Sequence, residues 1–306
     1  MQHFYSLDDL RLKGVWLTIG AFDGVHRGHQ AIITDLCAGA RDEGAQATVL
    51  TFHPHPARIV RSRTGPYYLT TPDEQARRIG NLGVDVVITH PFNHKVAQTS
   101  AYNFMTEVQR ALEPDQLFVG HDFALGRDRE GDATWLRELG SVFGYALNVI
   151  EPVQNEGEVI SSSRIRSALS DGDISHAEKM LGRPFRISGT VVPGDGRGKL
   201  LGIPTANLEV WSELMLPKTG VYACIAHYAD NSWKAVANIG VRPTFKNQEL
   251  TPRVEAHLLD FDQDIYDKQI QIDLFARIRD EVRFSSVEAL SKQIQRDIEY
   301  TKQILG

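Results

Sequence analysis

The feature that most limits the fold of this 306-residue chain is a change of periodicity near residue 184. Before it, short apolar runs alternate with helical segments. "VWLTIG" (15–20) predicts a buried strand, and "GHQAIITDLCAGARDEGA" (28–45) a helix that buries Ile33, Leu36, Cys37 and Ala40. Strands over 47–52, 84–90, 115–121 and 145–153 then alternate with helices over 71–83, 99–113 and 133–144. This alternation implies right-handed βαβ units and an α/β domain with a mostly parallel, doubly wound sheet. Two short helices in 160–169 and 173–182 close this half, with Asp173 as an N-cap.

After "GRPFRISG" (182–189) the helical pattern stops. "FRISGTVV", "GVYACIAHYA", "WKAVANIG", "RVEAHLLDF" and "QIQIDLFARI" read as strands separated by Gly, Pro, Asn and Asp turns. They predict a C-terminal antiparallel β-barrel domain. The chain ends in one long helix whose Val287, Leu290, Ile294, Ile298, Thr301 and Leu305 form a single face for packing on that barrel. The expected domains are 1–183 and 184–306.

Composition excludes some classes of function. A formal net charge of −6 gives no electrostatic reason to expect nucleic acid. No apolar run has the length of a membrane span, and "MQHFYSLDDL" lacks the basic-then-apolar pattern of a leader. The expectation is a cytoplasmic protein with no membrane, nucleic-acid or protein partner. Cys37 and Cys224 have no paired spacing, which argues against a disulfide framework or a cysteine-rich zinc site.

Two segments carry chemistry. In "TIGAFDGVHRGHQAII" (18–33), Gly20 and Gly24 allow a sharp turn after the strand, and Gly28 allows close approach where the helix starts. A helix N-terminus suits phosphate, and His26 and His29, three apart, share one face of its first turn. The same histidines are compatible with a metal site completed by His53 and His55 of "HPHP", or with a glycine-rich turn in which they are incidental. In "GDGRGKLLGIPTANL" (194–208), Gly194, Gly196 and Gly198 beside Arg197 and Lys199 can wrap phosphates. No G-K-[ST] ends the run, so it is not a Walker loop, and a flexible basic hairpin is the plainer reading. Pro204 stiffens the turn, while Thr205 and Asn207 offer oxygen ligands two residues apart, suited to Mg²⁺.

"GAFDGVHRGH" resembles the nucleotidylyltransferase superfamily, in which H-x-G-H follows the first strand of a Rossmann-like fold. "ISSSRIRSAL" (160–169) is similar to its second, serine-rich and basic element. "TFHPHP" (51–56) and "VGHDFALGRDREGD" (119–132) resemble the FAD synthetase branch. "PTAN", "GVYACIA", "VANIGVRPTF" (236–245), "VEAHLLDFDQDIYDK" (254–268) and the final helix resemble the riboflavin kinase family. From about residue 14 to its end the chain resembles the bacterial bifunctional riboflavin kinase/FAD synthetase family.

The resemblance implies two ATP-dependent reactions, riboflavin to FMN in the second half and FMN to FAD in the first, with Mg²⁺. It gives His26, His29, Ser163 and Arg166 to catalysis of adenylylation. It gives Gly20, Phe22, Asp23, Gly24, Gly28, Ser161, Ser162 and Arg164 to ATP or phosphate. His53, Pro54, Asp122, Phe123 and Arg127 would contact flavin, and the polar "GRDREGD" loop suits a mobile flap. In the second half, Gly194, Gly196, Arg197, Gly198 and Lys199 would hold phosphates, Thr205 and Asn207 the metal, and Glu255 would act as general base. By its strand pattern alone, Glu255 is an outward carboxylate between inward Val254 and Ala256. Ser163 stands where the family often has threonine, and Ile203 where an aromatic is common. Two other readings stay open: an H-x-G-H enzyme adenylylating pantetheine phosphate or a nicotinic mononucleotide, and a flavin-binding regulator without turnover.

Overall fold

The structure, a computed structural model, describes residues 1–8, 10–194, 202–243 and 250–306. Contacts divide the chain into two compact units, Met1–Ser162 and Ser163–Gly306.

The first unit is built on a parallel sheet. Its strands are β1 (Gln2–Phe4), β2 (Val15–Ile19), β3 (Ala47–His53), β4 (Val86–Pro91), β5 (Pro114–Gly120) and, after the two-stranded hairpin β6 (Ala124–Leu125) and β7 (Gly131–Asp132), β8 (Ala146–Ile150). The sheet order is β1-β4-β3-β2-β5-β8. The helices are α1 (Arg27–Asp42), α2 (Pro56–Val60), α3 (Pro72–Gly80), α4 (His94–Ala97), α5 (Ala101–Leu112) and α6 (Ala133–Phe143). A small hairpin, β9 (Gln154–Asn155) and β10 (Glu158–Val159), follows.

Helices cover both faces of the sheet, as expected of a doubly wound fold. Ile33, Leu36, Cys37 and Ala40 of α1 and Ala76 and Ile79 of α3 pack on Val49, Val87 and Phe118. On the other face, Phe104, Met105, Val108 and Leu112 of α5 and Leu136 of α6 pack on Leu17, Leu50, Ile88 and Leu117. Neighbouring positions such as Val49 and Leu50 thus enter opposite cores, which explains the unbroken apolar runs. The strand order reverses beside β2: β3 and β4 lie on one side, β5 and β8 on the other. Ligands of such sheets bind at the carboxyl ends of the strands at this switch point. Strand β1, which pairs with β4 in parallel, was not expected; three residues, "QHF", carry no readable period.

The division falls at the first residue of α7 (Ser162–Asp171), and the second unit holds the rest of that helix and α8 (Ile174–Leu181), the latter capped by Asp173, which accepts the His176 N–H at 2.9 Å. Six strands follow: β11 (Phe185–Val192), β12 (Ala206–Val210), β13 (Gly220–Tyr228), β14 (Asn231–Pro243), β15 (Leu250–Leu258) and β16 (Gln269–Arg279). They close an antiparallel barrel in the order β11-β12-β15-β14-β13-β16. Phe185, Ile187 and Val191 fill its interior with Ile270, Ile272 and Leu274. The contact division falls before the expected boundary at 183/184. The Lys218 N–H bonds the Leu169 carbonyl at 2.8 Å, and Gly172 lies against the Arg277 side chain, so α7 and α8 are packed with the barrel.

The last helix, α9 (Val287–Ile304), is capped by Ser286 and packs Ile294 and Ile298 on Val221, Val236 and Leu259. Its expected first contact, Val287, is 57% exposed, because the packed face begins later in the helix. The helix is pinned by Asp297, only 3% exposed, which accepts Arg279 Nε and Nη2 at 3.0 and 2.8 Å and Gln293 Nε2 at 2.9 Å. Asp297→Ala leaves the Arg279 guanidinium without its counter-charge. It should lower the stability of the barrel unit by about 3 kcal/mol, the scale of a broken buried ion pair. In calorimetry of the full chain, the barrel transition should move down while that of the first unit stays; an unmoved barrel transition would contradict this role.

Candidate active sites

At the carboxyl end of β2 the chain passes through Gly20–Val25 into α1. Phe22, Gly24 and Val25 have φ of 45°, 82° and 41°. Gly24 takes this conformation without penalty, but a β-branched residue such as Val25 rarely does. The Val25 N–H closes the turn on the Phe22 carbonyl at 3.0 Å. Side chains from elsewhere hold it: Thr51 Oγ1 and Gln75 Nε2 donate to the Ala21 carbonyl at 3.1 and 2.7 Å, and Ser162 Oγ donates to the Asp23 carbonyl at 2.9 Å. Backbone strain held so firmly marks a functional site.

His26 is the N-cap of α1. Its Nδ1 accepts the His29 N–H at 3.3 Å, so in the neutral ring the proton sits on Nε2. The two imidazoles stack with centroids 3.5 Å apart and planes 19° from parallel. Phe22 meets His29 edge-on at 5.2 Å. Gly20 adjoins the Phe22 ring, and Gly28 adjoins the His26 ring. First-turn N–H groups, the positive helix end and two imidazoles are therefore gathered at one place, a combination suited to phosphate oxygens.

A narrow cleft beside this turn is lined by Ala21, Asp23, Phe52, His53, His55, Tyr68, Thr70 and Gln75 among others. His53 and Pro54 are joined by a cis peptide. His55 caps α2 through Nδ1, which accepts the Ala57 N–H at 3.0 Å, and its own N–H donates to Tyr68 Oη at 2.8 Å. Tyr67 and Tyr68 form a wall against His55 and His53, with Arg58 over the Tyr68 ring. Thr70 is 5% exposed and its hydroxyl has no partner among the described residues. Nothing in the sequence period marked Tyr67, Tyr68, Thr70 or Gln75; only their convergence does. Among the described residues, no three His, Cys, Asp or Glu side chains form a metal cluster, so the four-histidine metal alternative has no support. Nδ1 of His26 and of His55 cap helices.

Asp122, Phe123 and Arg127 lie on the hairpin after β5. Phe123 packs on the sheet core, while Asp122 and Arg127 are exposed. The Arg127 N–H bonds the Thr99 carbonyl at 3.0 Å, and the Glu130 carboxylate accepts the Ala101 N–H at the start of α5 at 2.7 Å. The expected flap is thus a hairpin tied at its tip. Ser161 and Ser162 are half-buried and Ser163 is exposed; Arg164 and Arg166, on α7, are partly buried.

In the barrel, Val254 and Ala256 point inward and Glu255 outward, as the strand pattern requires. The register sets Glu255 opposite Asn207 of β12 and Asn238 of β14. Arg253 bridges the row: Nη2 donates to Asn207 Oδ1 at 2.8 Å, and the guanidinium pairs with Glu255. Asn238 Nδ2 donates to Glu281 Oε1 at 3.1 Å. Gly194 abuts Asn207; a Cβ there would lie 2.1 Å from its Nδ2. Thr205 is exposed at the head of β12, beside Pro204, whose carbonyl is 2.7 Å from His257 Nδ1. Gly196, Arg197, Gly198 and Lys199 lie outside the described residues. Asn238 escaped sequence reasoning because only strand register brings it beside Glu255; Arg253 shares the outward face of β15 with Glu255 two residues on, and Glu281, beyond β16, joins through Asn238.

Comparison with known proteins covers both sites. A family described as FAD synthetase matches residues 9–164, and one described as riboflavin kinase matches residues 181–305. A bifunctional riboflavin kinase/FMN adenylyltransferase of Pseudomonas fluorescens is 39% identical over 97% of this chain and 96% of its own. The protein of that description from Escherichia coli K12 is 36% identical over 99% and 96%. A crystal structure described as a macrolide-efflux protein from Streptococcus pneumoniae covers 98% of both chains with a TM-score of 0.87 and 30% identity. Among the described residues of this chain, no helix is long and apolar enough to cross a membrane.

His26→Ala removes the α1 cap and should lower the stability of the first unit by about 1 kcal/mol. His26→Asn restores a cap acceptor and should recover that loss in thermal denaturation; an equal loss in both variants would contradict the capping role.

Proposed function

The chain belongs to the family of bifunctional riboflavin kinase/FMN adenylyltransferases, and on that premise we propose how its residues divide the two reactions. The observation that carries this reading is the presence, in one chain, of a helix-end phosphate site and an outward carboxylate flanked by two amides. Residues 1–183 serve adenylyl transfer and 184–306 the kinase.

In the kinase half, Glu255 takes the proton of the ribityl 5′-hydroxyl as that oxygen attacks the γ-phosphorus of ATP. The bond from γ-phosphorus to the bridging oxygen breaks and ADP leaves. Thr205, exposed at the head of β12, and Asn207 two residues on would with the phosphates supply hard oxygen donors of the kind Mg²⁺ takes. Mg²⁺ there would neutralise phosphate charge. Arg253 holds Asn207 and Glu255 together, and the 194–199 segment contacts phosphates. Positioning does most of the work in such transfers.

In the adenylyl-transfer half, an FMN phosphate oxygen attacks the α-phosphorus of a second ATP and pyrophosphate leaves. FMN phosphate is largely ionised near neutral pH, so no strong base is needed. His26, through Nε2–H, and His29 donate to phosphate oxygens as charge builds on the leaving group. The Gly20, Phe22, Gly24 and Gly28 backbone shapes the phosphate seat. Ser161, Ser162, Ser163, Arg164 and Arg166 take phosphate roles on the strength of the resemblance of 160–169. His53, Pro54 and the tyrosine wall offer flat surfaces to a flavin ring, with Asp122, Phe123 and Arg127 as further contacts. Both reactions are assigned to the cytoplasm, in keeping with the expectation from sequence.

His29→Ala should lower kcat for FMN adenylylation by about 100-fold, the scale of one lost oxyanion donor, and leave riboflavin phosphorylation unchanged. Glu255→Gln should lower FMN formation by about 100-fold or more, while adenylylation of supplied FMN continues. Chromatography of riboflavin, FMN and FAD over time measures both. Loss of both activities in folded His29→Ala would refute the division.

A further inference from the structure

Asp23 sits in the turn that the resemblance gives to phosphate binding, yet it is 2% exposed and Oδ1 accepts the Leu69 N–H at 2.9 Å. A buried carboxylate repels phosphate rather than binding it. Two of its bonds run to distant parts of the unit. Leu69 is 46 positions away, and Ser162, which donates to the Asp23 carbonyl, is 139 positions away. Leu69 directly follows Tyr67 and Tyr68, whose rings stand against His55 and His53. Thr70, with its buried hydroxyl, follows Leu69 in the same cleft wall. Three residues on from Asp23, His26 caps α1. One residue therefore joins the histidine turn, the tyrosine wall and the start of the serine segment.

We infer that Asp23 is a positioning residue for adenylyl transfer: its carboxylate clamps the 67–70 segment to the β2–α1 turn and so fixes the tyrosine wall relative to the stacked histidines. The inference rests on the assignment of FMN adenylylation to the first unit. The carboxylate acts as a hydrogen-bond acceptor, and its charge is not what the reaction uses. An amide of the same shape should therefore replace it.

The test compares Asp23→Asn with Asp23→Ala in the full chain, reading kcat and KM for FMN and ATP, the kinase rate, and amide exchange over 67–70. Asp23→Asn keeps an acceptor for the Leu69 N–H and should stay close to wild type in every reading. Asp23→Ala should lose about 30-fold or more in kcat/KM for FMN, chiefly through KM, with faster exchange over 67–70 and an unchanged kinase rate. If Asp23→Asn falls as far as Asp23→Ala, the charge itself is required and the inference is overturned. Wild-type behaviour of Asp23→Ala overturns it too. Should Asp23→Ala fail to fold, Asp23→Asn decides alone. If the wild type makes no FAD from FMN, the functional reading fails separately, and exchange over 67–70 still decides whether Asp23 is the clamp.

Discussion

The first unit depends on where the opening turn of α1 is held. The N–H groups of that turn carry the positive end of the helix dipole, and that of His29 is capped by His26 Nδ1. Strand β2 delivers them to the point where the sheet order reverses, and Gly20–Val25 fixes them there. Positive φ at Phe22 and Val25 costs on the order of 1–3 kcal/mol each. Bonds from Thr51, Gln75 and Ser162 to that turn, with the one from Asp23 to Leu69, offset the cost and leave a single geometry. The histidine pair is then placed by backbone, since His26 is the cap and His29 stacks upon it.

The barrel solves a related problem by other means. On the proposed reading its chemistry stands on a sheet face, where register does what a helix end does in the first unit. Antiparallel pairing sets Asn207, Glu255 and Asn238 in one row, and Arg253 ties two of them together. A carboxylate flanked by amides can take a proton and share a hard cation, which a helix N-terminus cannot do. On that reading the two units treat phosphate differently, which suits transfer at γ-phosphorus in one and at α-phosphorus in the other. The product of the first reaction is the substrate of the second.

Much of this was legible in the sequence. Unbroken apolar runs between helical segments specified the doubly wound sheet, and the α1 core residues Ile33, Leu36, Cys37 and Ala40 follow from spacing alone. Alternation in β15 set Glu255 outward. What sequence could not give was the long-range hydrogen bonding. Nothing local in the sequence predicts that the Asp23 carboxylate accepts the Leu69 N–H. Nor does "GRDREGD" predict that Glu130 accepts the Ala101 N–H at the start of α5. Val287 fits the apolar stripe of α9, but a stripe does not say where a helix first meets its neighbour.

The central claim is that one chain breaks ATP at two different phosphorus atoms. The direct measurement supplies riboflavin with ATP labelled either at the α- or at the γ-phosphorus and follows the label into each flavin. The account predicts that γ-label enters FMN and persists in FAD, while α-label enters FAD alone. Alpha-label absent from every flavin would contradict adenylyl transfer, and γ-label absent from FMN would contradict the kinase.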